Sequence, residues 1–238
     1  MRIDILTLFP EMFEAFCSTS IIGRACDKGL VEIHRTNIRD FATDSYRTVD
    51  DSPYGGGPGM VMICQTVFDA VESVRGETGS KGKVIMLTPQ GEPLTQAMAR
   101  ELSVEGHLVL LAGHYEGFDE RIRIGLADME ISLGDFVLSG GEVAAMAVCD
   151  SVVRLLPGAL GKDESIDEES FSAGLLEYPQ YTRPRVFGDM EVPEILLSGD
   201  HAKIEQWRLE QAERRTRDRR PDLWEAYRQN AETEEDQS

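Results

Sequence analysis

The chain has 238 residues, 43 Asp and Glu against 24 Lys and Arg, a net charge of −19 and 41% hydrophobic residues. That length suits one large domain, or a main domain with a small appendage, and allows a sizeable core. The acidic balance argues against indiscriminate nucleic-acid binding, and no apolar run approaches the roughly 18 residues of a membrane span.

Residues 2–8 carry Asp4 and run into Pro10, so they read as a first strand and not as a signal peptide. A helix is expected over 19–28, ended by Gly29, and a second strand over 31–38. Residues 44–60 lack periodicity and hold Pro53-Tyr54-Gly55-Gly56-Gly57-Pro58-Gly59-Met60. A loop of that length in a compact domain is functional or disordered. A helix over 65–74 follows. Strands over 83–87, 107–112 and 128–132 then alternate with helices over 93–103, 118–126 and 142–154. The alternation predicts an α/β fold with a mainly parallel sheet. The main domain is read as 1–157, broken at Pro157. Residues 158–174, with five acids between Asp163 and Glu169, read as an exposed, mobile linker. A helical region is expected over 175–229, with a helix over 201–217 capped by Asp200 and a short last helix over 222–228. Residues 230–238 read as a disordered acidic tail.

Three glycine-bearing loops follow apolar runs: Thr88-Pro89-Gln90-Gly91, Gly113-His114-Tyr115-Glu116-Gly117 and the stretch 133–141. In α/β proteins ligands bind beyond the carboxyl ends of strands, and glycine lets backbone groups approach them closely. Each loop alone reads as a tight turn. Together they suggest a cup of backbone for a small, flat, polar ligand.

Other chemistries lack their motifs. No GxGxxG follows a strand. The stretch 76–83 resembles a phosphate loop, but it is one residue too long and Val84 stands where Ser or Thr must reach Mg²⁺. Ser139-Gly140-Gly141 is not a nucleophile elbow, since Val137 stands two residues before the serine. His34, His107, His114 and His201 show no metal-ligand spacing. Cys17, Cys26, Cys64 and Cys149 form no CxxC pair and read as reduced, partly buried thiols of a cytoplasmic protein. The segment 214–220 holds Arg214, Arg215, Arg217, Arg219 and Arg220 with one acid. It reads as a solvated helix face with ion pairs or as a phosphate contact, and the preference for arginine over lysine tilts it toward RNA.

At these residues the sequence closely resembles the bacterial tRNA (guanine(37)-N1)-methyltransferases of the SPOUT superfamily, over nearly the whole chain to about Arg228. The matching segments are 4–10, 54–60, 112–121, 134–142 and 175–184. The resemblance implies a deep C-terminal trefoil knot in the main domain, an exception to the usual absence of knots. It implies a bent S-adenosylmethionine in that knot, a homodimer with active sites at the interface, and a helical C-terminal domain that helps hold tRNA carrying guanine 3′ of the anticodon. Cofactor contacts would come from Leu87, Thr88, Pro89, Gly113, Tyr115, Gly117, Leu133, Gly134, Asp135, Phe136, Val137, Leu138, Gly140 and Gly141, mostly through backbone.

Guanine N1 carries a proton at neutral pH, so a base must remove it, and the charge that builds on O6 needs a cationic or hydrogen-bonding partner. Arg154 matches the family's arginine for that charge, although by itself it reads as a cation at a helix C-terminus. The family's base is an aspartate directly before Ser-Phe. Here Glu169 precedes Ser170-Phe171, with Asp167 the alternative. Glu116 is a candidate for orienting the guanine or joining Mg²⁺ binding, and equally for a loop-capping acid. Dependence on Mg²⁺ is an expectation of the resemblance alone, with no metal site marked in the sequence. Arg183 joins the five arginines as an expected RNA contact. The competing readings are a related methyltransferase acting on another RNA and a non-catalytic RNA-binding dimer.

Overall fold

The computed structural model describes residues 1–160 and 169–235, so the candidate base Asp167 lies outside the described residues. The chain divides into two compact units, Met1–Gly161 and Lys162–Ser238.

The first unit is built on a five-stranded sheet in which all paired strands are parallel. The strands are β1 (Arg2–Thr7), β2 (Glu32–Asn37), β5 (Lys83–Pro93), β6 (His107–Ala112) and β7 (Met129–Ser132), in the order β2-β1-β6-β5-β7. Side chains alternate between the faces of a strand, and both faces are covered. Ile3, Ile5, Ile85, Leu108 and Leu110 belong to one core, shared with α2 (Ser20–Asp27), α4 (Gln96–Ser103) and α6 (Glu142–Val153). Leu6, Val84, Met86, Val109 and Leu111 belong to the other, with α3 (Cys64–Thr78) and α5 (Glu120–Leu126). Burial on both faces explains why the central strands read as unbroken apolar runs. A short α1 (Glu14–Ser18) precedes α2, and Gly29 leaves α2 at φ 69°.

Three elements depart from the expectations. Residues 44–60 are not wholly irregular. They lead through β3 (Asp50–Asp51), which pairs antiparallel with β4 (Val61–Met62). The stretch 88–91, expected as a loop after a strand over 83–87, lies inside the bounds of β5. Ile131 pairs with Leu87 and again with Glu92, so residues 88–91 bulge out as a loop closed at both ends on one residue of β7. Gly91 permits this, because a Cβ there would lie 2.5 Å from the Glu130 carbonyl carbon and the Ile131 nitrogen. The third departure is at the chain's end.

Cys17, Cys26, Cys64 and Cys149 are free thiols. Cys149 is fully buried, and burial pushes its thiol far above the ordinary range. Among the described residues no helix is long and apolar enough to cross a membrane.

The second unit contains a small hairpin of β8 (Val186–Phe187) and β9 (Met190–Glu191), then α7 (His201–Arg219) and α8 (Pro221–Glu235). The Asp200 side chain caps α7 by accepting from the Lys203 N–H. Thr216, fully buried on α7, accepts from the Leu176 N–H at 2.8 Å and so ties the preceding segment to the helix. Helix α8 continues to Glu235, past the 222–228 expected for the last helix.

Candidate functional site

Beyond the carboxyl ends of β6 and β7, and beside the bulge of β5, lies a cavity of about 360 Å³, within the size range of small-molecule sites. Its walls are the three glycine-bearing loops. Of the fourteen expected cofactor contacts, all but Gly134 and Asp135 line it. Those two form the turn after β7, where the Gly134 N–H donates to Ser132 Oγ at 3.1 Å and Gly134 has φ 145°.

Backbone bonds join the loops. The Gly141 N–H donates to the Gly113 carbonyl at 2.8 Å, and the Met62 N–H donates to that of Gly117 at 2.9 Å. The Glu116 N–H donates to the Met60 carbonyl, which ties the 50–62 hairpin to the 113–117 loop. The glycines play different roles. Gly117 has φ 105°, and a Cβ there would meet open space, as in a backbone cradle. Gly113 and Gly141 are not left-handed. A Cβ on Gly113 would press on the Phe118 ring at 2.6 Å, and one on Gly141 would lie 2.7 Å from Ala112 Cα. Their glycine character serves close packing of chain on chain. Tyr115 does adopt φ 62°, and its hydroxyl accepts from Arg39 at 3.1 Å.

Several lining residues were absent from the sequence-based set. Glu120, Arg123 and Glu130 form an ion-paired group at one wall. With Glu116 also in the lining, the cavity carries more acid than base. His114 lines the cavity too, and its Nε2 lies 2.8 Å from Oε2 of the buried Glu142. His107 is likewise paired, with Asp4 at 2.7 Å, away from this cavity. The sequence offered His114 between two expected contacts. Nothing in the local pattern marked its partner 28 residues later.

The other expected residues fall elsewhere. Arg154 is the C-cap of α6, half-buried, and does not line the cavity. It stands twelve residues beyond Glu142, roughly 18 Å along the helix at ~1.5 Å per residue. Glu169 belongs to the second unit, and its carbonyl accepts from the Ser172 N–H at 3.1 Å. Neighbouring Ser170 Oγ accepts from the Glu177 N–H at 2.9 Å, and Phe171 adopts φ 73°. Of the arginines on α7, Arg215 donates to the Glu177 carbonyl at 3.1 Å and Arg217 lies 3.5 Å from Asp218. Arg220 pairs with Asp222 at 2.6 Å. Among the described residues Arg214, Arg219 and Arg183 make no side-chain ion pair or hydrogen bond. No cluster of three or more His, Cys, Asp or Glu side chains among the described residues could hold a metal ion.

The profile of the family described as tRNA (Guanine-1)-methyltransferase TrmD matches residues 1–226. The chain belongs to this family. Curated relatives agree in extent. A tRNA (guanine-N(1)-)-methyltransferase of Brevibacillus brevis is 59% identical over 225 residues, covering 94% of this chain and 92% of the relative. Proteins of the same name from Geobacillus kaustophilus and Moorella thermoacetica are 58% and 56% identical. They cover 95% and 94% of this chain, and 93% and 90% of their own lengths. The family match spans the whole cavity and reaches through α7 into α8.

Proposed function

We propose that the chain transfers the methyl group of S-adenosylmethionine to N1 of the guanine 3′ of the anticodon in tRNA. Membership of the tRNA (guanine-N1)-methyltransferase family gives the enzyme class and the substrate class. The observation that carries the cofactor reading is the cavity made of three backbone loops, two at the carboxyl ends of β6 and β7 and one at the bulge of β5 between them. Its residues fit the group. Leu87, Leu133 and Leu138 offer apolar walls, backbone supplies polar contacts, Gly117 leaves a cradle, and the acidic lining suits a sulfonium cation. When bound, S-adenosylmethionine supplies the electrophilic methyl group.

Every other step falls to the chain's own residues. Glu169 takes the N1 proton, and Arg154 balances the negative charge growing on O6. Glu116, in the cavity wall and packed over Gly59, orients the guanine ring. Arg154 stands a helix length from the cavity of its own chain, which supports a homodimer in which the second copy brings this arginine to the site. Exposed Phe136, Val137 and Val143 around the cavity give the apolar surface such a partner would cover. A knotted crossing at 133–141 is supported by the path of the chain. From β7 at the sheet edge it returns past β5 to pack Gly141 on the end of β6. The 175–229 region, with Arg183 and the arginines of α7, would hold tRNA, with 158–174 as linker.

The test is incubation of purified protein with S-adenosylmethionine and unmodified tRNA transcripts, with and without guanine 3′ of the anticodon. Methylation mapped to N1 of that guanine is the expected result. Methylation elsewhere, or cofactor binding without transfer, overturns the assignment.

A further inference from the structure

Thr7 ends β1, is fully buried and does not line the cavity. Its Oγ accepts the Phe9 N–H at 2.9 Å, so its single hydroxyl proton is directed to Glu142 Oε1, 2.6 Å away. Glu142 is only 2% exposed and opens α6 directly after Gly140 and Gly141. The N-cap of α6 is Gly141, which has no side chain to cap the helix, and a helix N-terminus favours a carboxylate. The second oxygen of that carboxylate receives the His114 Nε2–H at 2.8 Å. His114 sits between Gly113 and Tyr115 in the cavity wall, and the Phe9 ring packs against its imidazole at 4.8 Å.

The line Phe9 N–H, Thr7, Glu142, His114 thus joins the end of β1, the start of α6 and the loop after β6. Two of these three segments carry cavity-lining residues. Gly140 shows how closely they meet, because a Cβ there would fall on His114 Nε2 and Glu142 Oε2. A buried carboxylate is costly unless its lone pairs are filled, and here both oxygens are served by donors from other segments.

We propose that Thr7, Glu142 and His114 form a positioning relay that sets the geometry of the cofactor loops, so that a hydroxyl outside the cavity controls affinity for S-adenosylmethionine. The inference rests on the S-adenosylmethionine reading of the cavity. Loss of the Thr7 hydroxyl leaves one carboxylate oxygen and the Phe9 N–H without their partner, so Glu142, and His114 bonded to it, are no longer fixed in place. The loops joined through His114 and Gly140 shift with it, as when a supporting hydrogen bond to a ligand-binding side chain is removed.

The experiment titrates the full-length protein with S-adenosylmethionine by calorimetry, alongside thermal unfolding of each variant. Thr7→Val, nearly isosteric but without a hydroxyl, should weaken binding about fivefold to fiftyfold, as expected if the displaced loops recover their binding geometry at the cost of about one buried hydrogen bond. Thr7→Ser restores the hydroxyl and should bind within about twofold of the wild type, inside the spread of one ordinary hydrogen bond. Glu142→Gln, which turns an amide group toward one of the two donors, should weaken binding like Thr7→Val. The double variant should lose less than the product of the single losses, because both act through one relay. Wild-type affinity in Thr7→Val, equal weakening in Thr7→Ser and Thr7→Val, or multiplicative losses would each overturn the relay. If Thr7→Val does not fold, wild-type affinity in Glu142→Gln overturns it. Failure of the wild-type protein itself to bind S-adenosylmethionine would instead overturn the cofactor reading.

Discussion

Removing the guanine N1 proton requires a base within reach of that atom, and the proposed base Glu169 has one more methylene than the aspartate at the matching place in the resembled family. Glu169→Ala should therefore lower single-turnover methylation by about 10²–10⁴-fold, the usual contribution of a positioned base, with S-adenosylmethionine affinity nearly unchanged. Glu169→Asp should keep substantial activity, and higher pH should partly rescue the alanine variant because N1 then ionises unaided. Rapid-quench measurements on both variants and on Asp167→Ala decide the matter. A loss confined to Asp167→Ala moves the base two residues earlier. At Gly113 and Gly141 the same substitution should have different outcomes. Gly141→Ala drives a Cβ into the backbone of Ala112 and should lower the melting temperature. Gly113→Ala meets the edge of the Phe118 ring, which can turn aside, so it should fold normally and weaken cofactor binding only modestly. Melting curves and calorimetry on the two variants check this, and equal melting temperatures would contradict it.

Helix α5 starts at a cap with a measurable pH signature. Asp119 accepts the Arg121 N–H and lies 2.7 Å from its guanidinium, which holds the carboxyl far below the ordinary range. A depressed folded-state pKa stabilises above the unfolded value of about 3.9 and loses that contribution as pH falls through and below it. Asp119→Ala should cost about 0.5–2 kcal/mol near neutral pH, and the difference from wild type should shrink below about pH 4. Denaturant unfolding at pH 7 and pH 3 reads this. Helix α7 separates its arginines by their partners. Replacing Arg214 and Arg219 with Gln should reduce the slope of log affinity for tRNA against log salt by about 0.7–0.9 for each phosphate that is no longer neutralised. The pair Arg217 and Arg220, already beside Asp218 and Asp222, should change it less. Equal slopes in both double variants would mean the RNA lies elsewhere. The elements themselves were readable wherever local chemistry decides them. Doubly buried strands wrote apolar runs, Gly29 ended α2, and Asp200 capped α7. The extension of β5 past Leu87 was not readable, because pairing with β7 fixes it and the residues do not. The length of α8 was misread because an acidic run suggested a tail, whereas Ala and Glu are good helix formers.

Arg154 and the cavity lie at opposite ends of α6, and the proposed homodimer would bring them together from two copies of the chain. A cavity-disabled variant such as Tyr115→Ala keeps Arg154, and Arg154→Ala keeps the cavity. After unfolding and refolding together, the two should form mixed dimers with one complete site. Methylation should then exceed the sum of the separate preparations severalfold, while a strictly additive result would place Arg154 in the site of its own chain. The candidate site was only partly readable for the same physical reason. Glycine spacing exposed the loops, since chain must approach chain closely there. The Thr7, Glu142 and His114 contacts bridge separations of 135 and 28 residues, and no local pattern records them. The clasp of Leu87 and Glu92 on Ile131 has a kinetic consequence. A segment anchored at both ends to one point of a buried strand behaves as a window frame and cannot swing as a shutter. Its amide hydrogens at Leu87 and Glu92 should exchange slowly with or without ligand, and its ordering entropy is lost when the protein folds and not when the cofactor arrives.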